Sequence, residues 1–117
     1  MKKILLGLLL LFSSNVFAQE VNPPLSVELM NENDAFVSWT APTENTDNSP
    51  LTDLAGFKIY YGTNTGSYSQ TININSATKT SYLIKNLTSS TWYFVMTAFN
   101  SSGIESTYSI EVNKVIP

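Results

Sequence analysis

Past residue 20 the chain alternates apolar and polar positions in short bursts, each closed by turn-forming residues. Leu25, Val27 and Leu29 alternate with polar neighbours after the Pro23-Pro24 pair, and Ala35, Val37 and Trp39 alternate up to Pro42. Phe57, Ile59 and Tyr61 follow, then Ile72 and Ile74, then Tyr82, Ile84 and Leu87. The segments "TWYFVMTAF" (91–99) and "YSIEVNKVI" (108–116) complete seven runs. A period of two sends successive side chains to opposite faces of a strand, and Val, Ile, Thr, Tyr and Phe suit such a half-buried surface. Between the runs lie "NEND", "TENTDNSP", "GTNTG", "NSAT", "LTSS" and "NSSG", rich in the residues that tight turns use. Outside the first 18 residues no segment carries a helical apolar stripe long enough to matter. The pattern predicts an all-β fold, a seven-stranded antiparallel β-sandwich, with residues 43–55 as the longest connection.

The first 18 residues follow a different rule. Lys2 and Lys3 precede an apolar stretch from Ile4 to Phe12, and Val16-Phe17-Ala18 supplies the positions a signal peptidase reads. This is the layout of a secretory signal peptide. A transmembrane anchor needs roughly 20 apolar residues, about twice what is present. The expected organisation is a signal peptide over 1–18, cleaved after Ala18, and one domain over 19–117, secreted or periplasmic. No membrane insertion is expected after cleavage, because no later run is long and apolar enough.

Charge and residue absences then narrow the function classes. The net charge of −3 becomes −5 once Lys2 and Lys3 are set aside, since four basic residues then face nine acidic ones. There is no Arg, and no basic face can be assembled to displace counterions from phosphates, so nucleic acid is not an expected partner. His and Cys are both absent, which removes Ser-His and Cys-His catalysis and the common zinc sites. The acids fall mostly in loops, and a small plain sandwich leaves little room for a cavity. The expectation is a non-enzymatic protein with no cofactor. Without disulfides, its stability rests on a regular apolar core.

Four segments, in order and in register, carry a family resemblance. "PPLSVEL", "AFVSWTAPT", "GFKIYYG" and "LTSSTWYFVMTAFNSSGIES" resemble the opening, second, third and sixth strands of a fibronectin type III domain, in the form common in bacterial secreted proteins. The resemblance runs from about Pro23 to Ile116 and implies an immunoglobulin-like sandwich with Trp39 as its core tryptophan. In many members a tyrosine six positions after a leucine closes a corner through its hydroxyl. Tyr93 has that spacing from Leu87, whereas alternation back from Ala98 puts Trp92, Phe94 and Met96 on one face. The two rules differ by one residue, and a slip of one reverses both faces of the strand.

The rings divide between core and surface. Phe57, Ile59, Tyr61 and Trp39 are expected inside, with Tyr60 and Lys58 on the opposite face of the third strand. Phe36, Tyr68, Tyr82 and Tyr108 are further rings outside the expected core. Tyr60, together with Trp92 or Tyr93 and Phe99 of the sixth strand, forms the candidate ligand-stacking surface, since tyrosine and tryptophan combine contact area with a polar handle. Such rings also stabilise sheets as cross-strand pairs. The acidic loop with Glu44, Asp47 and Asp53 matches no calcium-loop spacing, so no metal site is expected there. The functional expectation is protein–protein interaction or a structural role at the bacterial envelope or outside the cell. The alternative is a carbohydrate-binding module. The expected partner is thus a protein or a polysaccharide.

Overall fold

Alternation becomes pairing wherever one face of a strand finds apolar surface to cover it. The computed structural model describes residues 11–13 and 31–117. Its strands are β1 (Leu11–Ser13), β2 (Ala35–Ser38), β3 (Leu54–Gly62), β4 (Gln70–Ile74), β5 (Ser81–Ile84), β6 (Ser90–Asn100) and β7 (Val112–Ile116). They pair antiparallel in two sheets, ordered β1-β2-β5 and β4-β3-β6-β7. Helix is absent among the described residues. The expected all-β sandwich is the observed one, with six strands rather than seven inside 31–117. The run at 25–29 lies outside the described residues. β1 belongs to the stretch read as a signal peptide and lies along β2, Phe12 opposite Val37.

Both sheets give their inward faces to one core. Ala35, Val37 and Ile84 come from one layer, and Phe57, Ile59, Ile74, Phe94, Met96 and Ile116 from the other. Trp39 closes over Phe57 with ring centroids 5.4 Å apart at 57°. Phe57 and Ile59 are fully buried, as the alternation predicts. Each such side chain contributes about 1.5–3 kcal/mol on leaving water. Tyr61 is half-buried at the margin of this core, between Trp92 and Phe94, each at a centroid distance of 5.8 Å.

One buried acid braces the end of the sandwich, with its carboxylate inside one layer and its carbonyl reaching the other. Asp34 accepts hydrogen bonds from the backbone N–H of Asn31 (3.0 Å) and Asn86 (3.1 Å), while its own carbonyl accepts one from the Lys114 ammonium. Burial of an acid is tolerable only with such donors around it.

The corner of β6 is made by Trp92. Its indole N–H donates to the Thr88 carbonyl at 2.8 Å, four residues upstream, and its ring packs on Tyr61. Trp92 therefore belongs to the inward face, with Phe94, Met96 and Ala98, and Tyr93 faces out. The final run is shorter than its alternation suggests. Only Val112–Ile116 joins β6 in a continuous ladder, and residues 105–109 run beside β6 through isolated pairings.

Candidate interaction surface

The outer face of the four-stranded sheet is set by the pairing of β3 with β6. Tyr60 lies opposite Val95, Lys58 opposite Thr97, Gly62 opposite Tyr93 and Gly56 opposite Phe99. Tyr60, Tyr93 and Phe99 accordingly share this face. Trp92, the fourth residue of the expected stacking surface, does not: the corner draws it to the opposite side of the strand.

Two serines bring a further ring onto the face. Ser106 N–H donates to the Ala98 carbonyl (2.8 Å), and the Ala98 N–H donates to the Ser106 hydroxyl (2.9 Å). Ser109 repeats the arrangement on Met96, its N–H to the carbonyl and its hydroxyl accepting from the N–H, both at 2.9 Å. Two residues, Thr107 and Tyr108, thus span the place where β6 has only Thr97. An extra residue between fixed pairings must bulge, and the bulge re-aims its side chain. Tyr108 swings over the sheet and meets Tyr60 edge-on, with centroids 5.2 Å apart at 62°. It also meets Tyr68, at 5.6 Å and 90°.

Tyr68 arrives from the β3–β4 turn, which glycines permit. A Cβ on Gly62 would stand 2.9 Å from the Ser67 carbonyl, so the returning chain packs directly on the bare backbone. Gly66 has φ +73°, a left-handed conformation that side chains disfavour. Its N–H donates to Glu111 at 3.0 Å.

Two glutamates organise the polar side. Glu105 accepts from the hydroxyls of Tyr60 (2.5 Å) and Thr97 (2.9 Å), and Lys58 stands 3.6 Å away. Burial works to raise its pKa, but these donors and the ammonium outweigh it and leave the carboxyl below its ordinary value. Glu111 accepts from Thr65 (2.6 Å), the Gly66 N–H and Tyr68, and these hydrogen bonds lower its pKa. Burial first, then the carboxylate partner, pushes the phenols of Tyr60 and Tyr68 up to about 12. Lys58 also lies 5.9 Å from the Phe99 ring centre. Tyr108 remains 51% exposed, and Ile110 beside it 84%.

A concavity of about 470 Å³ opens at β5, an edge strand of its sheet. Tyr61, Ile72, Tyr82, Leu83, Ile84 and Lys85 line it, so no carboxylate pair converges there. The acidic loop folds on itself: Asp47 accepts from the Ser49 N–H at 3.0 Å, and Asn45 N–H donates to the Ser49 carbonyl at 2.8 Å. Among the described residues no three metal-ligating side chains cluster.

Of the surface expected from sequence, Tyr60, Tyr93 and Phe99 are placed on one face, while Tyr68 and Tyr108 complete the ring cluster. The available signal was Ser106-Thr107-Tyr108-Ser109, where two serines three apart bracket a tyrosine just before the last strand.

Two antiparallel sheets in these orders, packed over one core, define an immunoglobulin-like β-sandwich module. The family model described as "Fibronectin type III domain" matches residues 22–115, and the chain belongs to that family, a protein-interaction type of module. Among solved structures it is similar to the FN1–FN3 domains of chicken CNTN1, at 20% identity and a TM-score of 0.58. That likeness covers 77% of this chain and 29% of the other, and it shows the fold. A redesigned β-sandwich protein is 22% identical at a TM-score of 0.46, with 78% of this chain and 87% of that one covered. A search of curated proteins finds no match.

Proposed function

We propose that the protein is an exported, non-catalytic fibronectin type III module that binds a partner protein at the bacterial envelope or outside the cell. Its binding face is the outer surface of β3 and β6. The observation that carries this reading is the Tyr60–Tyr108–Tyr68 cluster. A bulge held by two serine clamps keeps Tyr108 half in solvent, where a partner can cover it. Rigid tyrosines with few rotatable bonds are effective interface anchors. The export reading is supported by the arrangement of residues 1–18. The non-catalytic reading is supported by the absence of His and Cys and by carboxylates engaged with tyrosine hydroxyls.

Carbohydrate binding by the same rings is the second reading, favoured by the exposed Tyr108. A sugar chain stacks best on ring faces lying in one plane, whereas these rings meet at 62° and 90°. That geometry suits the irregular surface of a protein better. The test is affinity capture from the native envelope and medium with the wild type and with Tyr60→Ala and Tyr108→Ala variants of native circular dichroism. Specific capture lost in both variants supports the protein reading. Capture that is indifferent to both removes this face, and retention on a glycan array transfers the function to sugar.

A further inference from the structure

The binding face contains one chemical unit twice, and only one copy is complete. In the first, the Phe99 ring and the Glu105 carboxylate hold Lys58 between them, at 5.9 Å and 3.6 Å. A cation over a ring face and beside a carboxylate satisfies both the ring quadrupole and the negative charge. In the second, Tyr68 bonds Glu111 and carries Tyr108 against its ring, and among the described residues the Glu111 oxygens take neutral donors: Thr65, the Gly66 N–H and Tyr68. Among the described residues Glu111 pairs with no lysine. Lys114, close by in sequence, is drawn away to the Asp34 carbonyl.

Resting on the protein-binding reading above, we propose that Glu111 with Tyr108 and Tyr68 receives a lysine or arginine side chain of the partner protein. The partner's cation completes the second unit as Lys58 completes the first. The half-exposed ring of Tyr108 offers contact surface, and Glu111 offers the one carboxylate lone pair that its three donors leave open. Exposed Ile110 gives the apolar stem of such a side chain a surface to lie on. The acidic balance of the chain adds a long-range bias toward basic partners.

The probe is the peptide Ac-Gly-Arg-Gly-Arg-Gly-NH2, titrated into the 15N-labelled protein at low salt, with the citrulline peptide as its neutral twin. The expected result is shift changes centred on Gly66, Tyr68, Tyr108 and Glu111. They should be suppressed by 0.5 M salt and absent with citrulline. Glu111→Gln, which keeps the hydrogen-bond acceptor but loses the charge, should weaken the response about fivefold. Lys79→Met, in the connection between β4 and β5 and against Tyr82, leaves Glu111 untouched and should not weaken it. Equal response to the citrulline peptide, no response to either, or a Glu111→Gln protein that titrates like wild type would overturn the proposal. Photo-crosslinking from position 108 in the native host separates this from the broader reading. A partner crosslinked through a segment without Lys or Arg sinks the cation site and leaves protein binding standing.

Discussion

At the scale of single residues, the tyrosine–glutamate pairs make the clearest statement about pH. An unfolded tyrosine ionises near pH 10, and Tyr60 and Tyr68 do so at about 12 when folded. A raised folded pKa means that their contribution is intact below pH 10 and is lost as pH climbs from 10 toward 12. Absorbance titration at 295 nm should therefore show two phenolates forming last, and Tyr60→Phe and Tyr68→Phe should each delete one from that step. Formation of every phenolate by about pH 11, with circular dichroism still native, would contradict the burial and pairing described. The acid limb runs the other way. Glu105 and Glu111 are depressed, so their contribution is present above the ordinary glutamate pKa and is lost as pH falls through the folded values. Glu105→Gln should be less stable than wild type to urea at pH 6, with the gap closing toward pH 2. A gap that stays constant over that range would exclude a charge-dependent role.

At the scale of elements, the Ser106 and Ser109 clamps decide where the last stretch of chain runs. Removing either hydroxyl strands a backbone N–H in a buried setting, Ala98 or Met96, which costs about 1–3 kcal/mol. Ser109→Ala should lower urea stability by that amount and speed hydrogen exchange of the Met96 amide. An unchanged exchange rate there would mean the clamp is dispensable. These clamps also explain what the sequence disclosed and what it hid. β3 and β6 were legible because Phe57, Ile59, Phe94 and Met96 alternate without interruption, and burial follows alternation directly. The start of β7 was misread because Tyr108 and Ile110 keep the period of two while serine side chains, not the backbone, accept the N–H groups of β6. The corner was undecidable from spacing alone, since Trp92 and Tyr93 both offer a donor. It was the inward face of β6, fixed by Phe94 and Met96, that assigned it to Trp92. The ring cluster depended on contacts between residues 40 or more apart, such as Tyr60 with Tyr108, which no local pattern encodes.

At the scale of the whole molecule, two thin layers without a disulfide depend on a few large side chains between them. Phe57, fully buried beneath Trp39, should cost about 3–5 kcal/mol when cut to alanine, whereas outward-facing Tyr93 should cost under about 1 kcal/mol. Trp39 poses a sharper question. It is only 5% exposed, and among the described residues its indole N–H is buried with no hydrogen-bond partner. An orphan donor of this kind costs about 1–3 kcal/mol, against which the ring's packing on Phe57 must be set. Trp39→Phe removes the orphan and keeps a ring against Phe57, so lost volume and regained polarity offset one another. The expected loss in urea stability is under about 1.5 kcal/mol, compared with about 3–5 kcal/mol for Trp39→Ala, which opens a cavity between the sheets. Losses of equal size in the two variants would show that the indole N–H is satisfied in solution, and that the tryptophan holds the layers together by a polar contact as well as by its bulk.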